Sequence, residues 1–488
     1  MTAACEPLVL GIDLGTGGVR AVVVTGEGTP VAQSAVRLAA SDQPAAGASE
    51  QSPAEWWRAV CVGLAAVVPQ LHAAGRSVRA LRGVSVDGTS GTLVAVDEGG
   101  NPVRPAIMYN DSRSTAEADE LTHLAQAWCG AAGYRIESSF SLAKMLWMAR
   151  REPQLFRSAA RFLHQADYVA GRLTGEWTVT DYGNALKSCY DLREDRWPSW
   201  IDELPGLAER LPAVVAPGTV IGRVSASAAG ETGLPAGLAV IAGTTDGVAS
   251  AVASGLRIEG DYNTTLGTTL VFKGLSTNVV RHPQGLVYSH KLPGGCWLPG
   301  AASNTGAAWI GAWFPDARPQ DLDRAAAAFL PARAGVYPLV GRGERFPFRC
   351  PEASRFAVPE PVQGAHEYAA CLAGTALVER LAYEVLDATC GTTGGAVYST
   401  GGGSKSDLWM QCRADVTGRT LHRPGVAESA FGSAILAAAG TLYESLARAI
   451  QAMCHIERTF VPADSNLGIY DELYGMFRAE LARRGYLD

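Results

Sequence analysis

Two kinds of residue in this 488-residue chain have the types and spacing for chemistry: aspartates closing apolar runs, and glycine–hydroxyl turns beside them. Asp13-Leu14-Gly15-Thr16-Gly17-Gly18 offers a carboxylate, then backbone N–H groups freed by glycines, then a hydroxyl. A phosphate-binding turn needs these parts: amides aimed outward with no Cβ in the way, and an acid to hold Mg2+ through water. An ordinary β-turn capped by an Asp would use the same residues. The turn recurs about 250 residues later as Leu266-Gly267-Thr268-Thr269, and two such turns facing one cleft could clamp a polyphosphate from both sides.

Gly243-Thr244-Thr245-Asp246-Gly247 places a further acid at the end of an apolar run and the mouth of a helix. There it could accept the proton of an attacking hydroxyl in phosphoryl transfer. Asp is also a frequent helix N-cap, and the local sequence leaves both readings open. Tyr109-Asn110-Asp111-Ser112-Arg113 gathers an amide, an acid and a guanidinium, a mixture that suits a polyol or equally a surface turn with a local ion pair. Gly401-Gly402-Gly403-Ser404 would let a flat group such as adenine or ribose lie against the main chain, where a simple helix cap would need one glycine.

Other chemistries are absent. None of the five lysines follows the spacing of a G-x-x-x-x-G-K-[ST] loop, and no G-x-G-x-x-G opens a helix after a strand. H-E-x-x-H and G-x-S-x-G do not occur. Ser141 to Lys144 matches S-x-x-K, but without a companion K-T-G or S-D-N it is a chance pattern, and the eight histidines are scattered.

The elements that must position these groups read as follows. Leu8 to Asp13 and Val19 to Val24 form a hairpin rather than a strand–helix unit. Ser52-Pro53-Ala54-Glu55 is a capping box that opens a helix with Trp56, Val60, Leu64, Val67 and Leu71 on one face. Arg82 to Val86 and Thr92 to Val96 read as a strand pair around Asp87–Gly91. Leu238 to Ala242 reads as a buried strand, and Tyr262 to Phe272 as a second hairpin. A long helix follows from about His366 to Asp387, then a strand at Ala396 to Ser399 and a helix from about Ser406 to Val416. The similar halves suggest a duplicated α/β domain with a cleft between. The expected division is residues 7–250 for the first domain, 257–445 for the second, and 446–488 as a helical, polar-faced tail.

Composition narrows the class. Forty-one Lys+Arg against 48 Asp+Glu leave a net charge of −7, against the basic balance of a nucleic-acid binder. Glycine, at 55 residues, is about 11% against a usual ~7%, as many tight turns require. The ten cysteines form no C-x-x-C, so neither a zinc ribbon nor a thioredoxin-type site is on offer. The start MTAACEPLVLGIDLG lacks the cationic flank of a signal peptide, and no apolar run approaches ~18 residues. A reduced, cytoplasmic protein with no membrane partner is expected.

In order and spacing, these motifs resemble the FGGY carbohydrate kinases, within the actin/hexokinase/Hsp70-like ATPase superfamily, over roughly residues 7–445. Asp13-Leu-Gly-Thr16 with Arg20 looks like the family's first phosphate motif, and Gly267-Thr268 its second. Tyr109-Asn-Asp111-Ser-Arg113 looks like its W-x-D-x-R sugar motif, with Tyr for Trp. Ser139 to Met148, through Lys144 and Trp147, fits its first signature, which departs only at Arg151. Gly401 to Asp415 resembles its adenosine motif.

The resemblance implies two ribonuclease-H-like domains around a cleft that binds ATP and Mg2+. It makes Asp246 the catalytic base and Asp13 the residue that helps place the metal. Asp13, Ser90, Asp111 and Asp246 would face the sugar. Gly15, Thr16, Arg20, Gly267, Thr268, Gly311, Gly402 and Ser406 would line the nucleotide. Gly17 stands where several relatives carry a hydroxyl, which removes one phosphate contact. Xylulose kinases usually carry Gly-Gln-Met-His-Gly where this chain has Gly88-Thr89-Ser90-Gly91-Thr92. Asp87-Gly88-Thr89-Ser90 looks more like the Asp-x-Thr-x pattern of ribulose-type kinases. The expected substrate is therefore D-ribulose, phosphorylated at O5, with D-xylulose next and L-ribulose or another polyol after it. A non-catalytic or ATPase-only relative would have no need of Asp246 or of Tyr109 to Arg113. The resemblance leaves room for a homodimer.

Overall fold

The computed structural model describes residues 6–487, so Cys5 and most of the residues ahead of the first apolar run lie outside the described part. The chain forms two compact units, each made of separated segments. The first comprises Met1–Gly255, His290–Cys296 and Val426–Cys454; the second comprises Leu256–Ser289, Trp297–Gly425 and His455–Asp488.

The first unit is built on a six-stranded sheet of β1 (Leu8–Gly15), β2 (Gly18–Thr25), β3 (Pro30–Arg37), β4 (Leu81–Gly88), β5 (Val220–Arg223) and β6 (Ala239–Thr245). Its order is β5-β6-β4-β1-β2-β3. β1 runs parallel to β4 and β4 to β6, while the β1–β2, β2–β3 and β5–β6 pairs are antiparallel. The near-continuous apolar run of β1 follows from burial on both faces. The helix Pro53–Ala73 buries Trp56, Val60, Leu64, Val67 and Leu71, as its periodicity predicts. Ser52 is its N-cap, but the side chain makes no capping bond. The helix Ser429–Ala439 lies so close to β1 that a Cβ on Gly11 would sit 1.8 Å from the Ala430 carbonyl oxygen.

Arg82–Val86 and Thr92–Val96 are strands but not a pair. The first lies in β4, whereas the strand Leu93–Val96 joins a separate four-stranded sheet between strands Ala106–Ile107 and Arg161–His164. That sheet and the helix Ser141–Arg151 enclose a second core containing Leu93, Phe140, Met145 and Phe162.

The second unit repeats the first topology. β7 (Tyr262–Leu266), β8 (Leu270–Gly274), β9 (Trp297–Ser303), β10 (Val397–Thr400), β11 (Leu421–Pro424) and β12 (Ile456–Phe460) run in the order β9-β8-β7-β10-β11-β12. β7 pairs antiparallel to β8 and parallel to β10, β10 parallel to β11, and β11 antiparallel to β12. Apart from a seventh strand, Tyr288–Lys291, on the β9 edge, this matches β3-β2-β1-β4-β6-β5, so the repeated hairpins do mark a duplicated sheet. The helix Gly364–Cys390 packs on it, burying Tyr368, Leu377 and Tyr383.

The residues expected as a polar tail are divided between the units. Val426–Cys454 completes the first, while β12 and the helix Asp464–Arg483, burying Tyr470, Leu473 and Phe477, complete the second. The expected boundary at 445 thus falls inside the segment that returns to the first unit. The sequence concealed this because the returning helix is made of small apolar residues that could cover either sheet.

Candidate active site

Parallel register brings the first unit's acids together. Asp13 pairs with Asp87 across β1 and β4, and Asp87 with Thr244 across β4 and β6, so all three strands deliver polar residues at their carboxyl ends. In open α/β sheets this is where ligands bind. Asp13 is buried and accepts a 3.0 Å bond from Arg20 Nη1, whose side chain is largely exposed. The Asp87 side chain is wholly buried; its Oδ2 accepts from Ser433 Oγ at 2.6 Å, and Oδ1 is without a protein donor. Burial first, then the charges of Asp13 and Asp246, push the Asp87 carboxyl well above the usual carboxylate range. Sequence reasoning places Asp87 in a turn and a substrate pattern and misses it as a site acid; its signal is a strand-end position level with Asp13.

Asp246 opens the helix Asp246–Ala253 and is partly exposed. Thr245 is the N-cap and makes no side-chain capping bond, while Asp246 Oδ1 accepts from the Gly247 amide at 2.6 Å. The capping reading therefore falls on the wrong residue.

The first glycine turn is held from behind. Gln51 Nε2 donates to the Thr16 carbonyl at 2.9 Å, Trp56 Nε1 donates to Gln51 Oε1, and the Leu38 amide donates to the Gly17 carbonyl. Gly18 is required because a Cβ would stand 2.5 Å from the Val36 carbonyl oxygen, whereas Gly17 has open space and Gly15 ordinary contacts.

Ser90 carries a buried hydroxyl with no protein partner, as a side chain reserved for a ligand would. The loop around it is fixed on both sides. Thr89 donates to Gln165 Oε1 through its amide (2.8 Å) and hydroxyl (2.7 Å). Lys144 Nζ, fully buried, donates to the Gly91 carbonyl at 2.8 Å, and burial followed by the Lys187 charge pulls its pKa down to about 7.

Asp111, expected to face the sugar, is surrounded by protein donors. It is 1% exposed, and its oxygens accept from the Ser49 amide and from the Arg113 amide, Nε and Nη2 at 2.7–3.1 Å. A carboxylate has about four acceptor positions, and protein donors fill them. Arg113 also bonds Glu50, and its guanidinium stacks 4.6 Å from the Trp147 ring. Asp111 thus anchors Arg113, while Tyr109, Asn110 and Ser112 are the exposed members of the motif.

In the second unit the Gly267–Thr268 turn closes the β7–β8 hairpin, and a Cβ on Gly267 would meet nothing closer than 3.7 Å. The three glycines at 401–403 divide their tasks. Gly401 has φ +87° and approaches the Leu266 carbonyl, Gly403 packs against the Leu266 side chain, and only Gly402 faces open space. Gly311 likewise has open space, in the helix Ala308–Trp313. Ser406 caps the helix Asp407–Thr417, accepting from the Trp409 amide at 3.0 Å, a bond that uses one lone pair of the hydroxyl and not its proton.

No group of three or more metal-binding side chains occurs among the described residues, and none of their helices is long and apolar enough to cross a membrane.

The duplicated sheet, with acids at parallel strand ends and glycine turns in both hairpins, defines a sugar-kinase-type ATPase fold. Residues 8–253 match the N-terminal domain of the FGGY family of carbohydrate kinases, and 262–441 its C-terminal domain. The chain belongs to the FGGY family and is a carbohydrate kinase, of a family that uses ATP. It is 26% identical to a xylulose kinase of Staphylococcus epidermidis (strain ATCC 12228 / FDA PCI 1200), over 97% of this chain and 96% of that one. It is 27% identical to a xylulose kinase of Escherichia coli (strain K12), over 96% and 98%. The crystal structure of xylulose kinase from Rhodospirillum rubrum superposes with a TM-score of 0.84 at 26% identity, covering 98% of both chains.

Proposed function

We propose that the chain phosphorylates the terminal hydroxyl of a ketopentose at O5, with D-xylulose as the substrate and ATP as the donor. The observation that carries this is the similarity to proteins named xylulose kinase along nearly the full length of both chains. It displaces D-ribulose from first place. The second reading, D-ribulose, is favoured by one observation: Asp87-Gly88-Thr89-Ser90 has neither the Gln nor the His usual in xylulose kinases.

When bound, ATP supplies the phosphoryl group and a divalent cation draws charge off its phosphates. The residues present fit both: the space beside Gly267, Gly311 and Gly402 is open, with no protein atom closer than 3.7 Å to where a Cβ would stand, and Asp13 sits as an oxygen donor beside the first turn. Asp246, partly exposed, takes the proton of the sugar hydroxyl. Ser90 and Tyr109 contact the sugar, and Asp111 holds Arg113 beneath it. The enzyme would work in the cytoplasm.

The test is ADP release, coupled to a detectable reaction, across a panel of pentuloses, pentitols and glycerol. D-xylulose should exceed D-ribulose in kcat/KM by ~10²-fold or more, because a site built for one hydroxyl orientation leaves polar groups unpaired with the epimer. The reverse preference would establish the ribulose reading, and turnover indifferent to sugar would overturn both.

A further inference from the structure

Glu344 is an acid that no part of the proposed chemistry uses, and it is 97% buried in the second unit with an exposure of only 3%. No Lys, Arg or His forms an ion pair with it among the described residues. A buried carboxylate is costly unless hydrogen bonds replace its water. Here five donors do so. Oε2 accepts from Ser303 Oγ, Thr305 Oγ1 and Tyr337 Oη, each at 2.9 Å. Oε1 accepts from the backbone amides of Asn304 at 2.6 Å and Arg345 at 3.0 Å. Three of the five belong to consecutive residues, 303–305, at the end of β9.

That loop touches the Gly267–Thr268 turn directly. The Leu270 amide donates to the Thr305 carbonyl at 2.8 Å, the Ala307 amide to the Gly267 carbonyl at 2.8 Å, and the Ala308 amide to the Thr268 carbonyl at 3.2 Å. Gly306 lies against the turn so closely that a Cβ would fall 2.5 Å from Thr269 Cα and 2.6 Å from the Thr268 carbonyl oxygen. The turn's carbonyls are therefore fixed by a loop that is itself fixed by one carboxylate. With the carbonyl of each peptide plane held, the direction of the following amide is held too.

We infer that Glu344 is a positioning residue for the second phosphate turn: it sets the 303–308 loop, which holds the Gly267 and Thr268 carbonyls and so aims the Thr268 and Thr269 amides at the nucleotide's phosphates, the Gly267 amide being spent on the Thr269 carbonyl within the turn. The inference rests on the reading of that turn as a phosphate grip. Charge-assisted bonds are about twice as strong as neutral ones, and preorganised donors are worth most where charge must be held. A loosened turn would weaken ATP binding while leaving the sugar groups of the first unit untouched.

The test measures KM for ATP and for the sugar separately. Glu344→Met keeps the length and removes both acceptors, leaving the Asn304 and Arg345 amides without the carboxylate that fixes them; it should raise KM for ATP by about 10-fold or more. KM for the sugar should stay within about threefold. Glu344→Gln should rescue in large part: its carbonyl can accept from the Asn304 and Arg345 amides, while two of the three hydroxyls rotate to accept from its two N–H groups. Should the Met variant fail to fold, a gentler pair decides. Thr305→Val cuts one loop contact and should raise KM for ATP severalfold, whereas Tyr337→Phe cuts a contact outside the loop and should not. Gly267→Ala checks the underlying reading, since the backbone accommodates a Cβ there. If Gly267→Ala weakens ATP but Glu344→Met and Thr305→Val do not, the positioning role is overturned and the phosphate grip stands. If Gly267→Ala has no effect on ATP, the grip falls and the inference with it.

Discussion

At the scale of single residues the chemistry turns on Asp246. Its place as the first residue of a helix capped by Thr245 leaves the carboxylate with a local bond to Gly247 and a partly exposed face. Asp246→Asn preserves that bond through the amide oxygen yet cannot take a proton. We expect kcat to fall by ~10²–10⁴ with little change in KM for ATP, as for the loss of a general base. The melting temperature should barely move, because no capping bond is removed. A kcat within a few-fold of the parent would transfer the role to Asp13 or Asp87. Asp13 and Asp246 were legible because each ends an apolar run beside glycine. Asp87 has the same credentials, but its weight comes from cross-strand register with Asp13, which no local pattern states. Glu344 and Gln51 were illegible for a related reason: each acts on a turn far from it in sequence, through bonds that only the fold creates.

At the scale of elements, neighbouring glycines carry different duties. Gly401 has a positive φ, and a Cβ on it would fall 2.6 Å from the Leu266 carbonyl oxygen, whereas Gly402 has neither constraint. Gly401→Ala should therefore destabilise the protein by ~1–3 kcal/mol, seen as a lowered denaturation midpoint. Gly402→Ala should leave the midpoint within about 0.5 kcal/mol of the parent and raise KM for ATP, if the nucleotide lies against that residue. Equal stability losses in the two variants would mean that the run serves folding alone. Both hairpins, the helix from Ser52 and the long helix near 366 were readable, since apolar period and turn residues agree there. Arg82–Val86 and Thr92–Val96 were misjoined because a strand's sequence does not name its partner. The Gly88–Gly91 turn, with φ +86° at Gly91, carries the chain from one sheet to another.

At the scale of the whole molecule the units are discontinuous in sequence. The first cannot be finished from residues 1–255, because the helix Ser429–Ala439 supplies Ala430, Phe431, Ile435 and Leu436 to its interior and Ser433 to Asp87. A fragment ending at 255 should aggregate or melt without cooperativity, while one in which a flexible linker appends 426–454 should regain a cooperative transition. Calorimetry on both decides, and a cooperative fragment 1–255 would show the helix to be dispensable. Between residues 255 and 454 the ribosome must add 454 − 255 = 199 residues. At ~5–20 residues per second that takes roughly 10–40 s. Throughout this interval β1 and β4 are made but uncovered on the face that the 429–439 helix will occupy. The half-made sheet therefore shows an apolar face to its surroundings while the rest of the chain is still being synthesised, which makes elongation speed and chaperone supply, beside the stability of the finished fold, matter to how much enzyme a cell obtains.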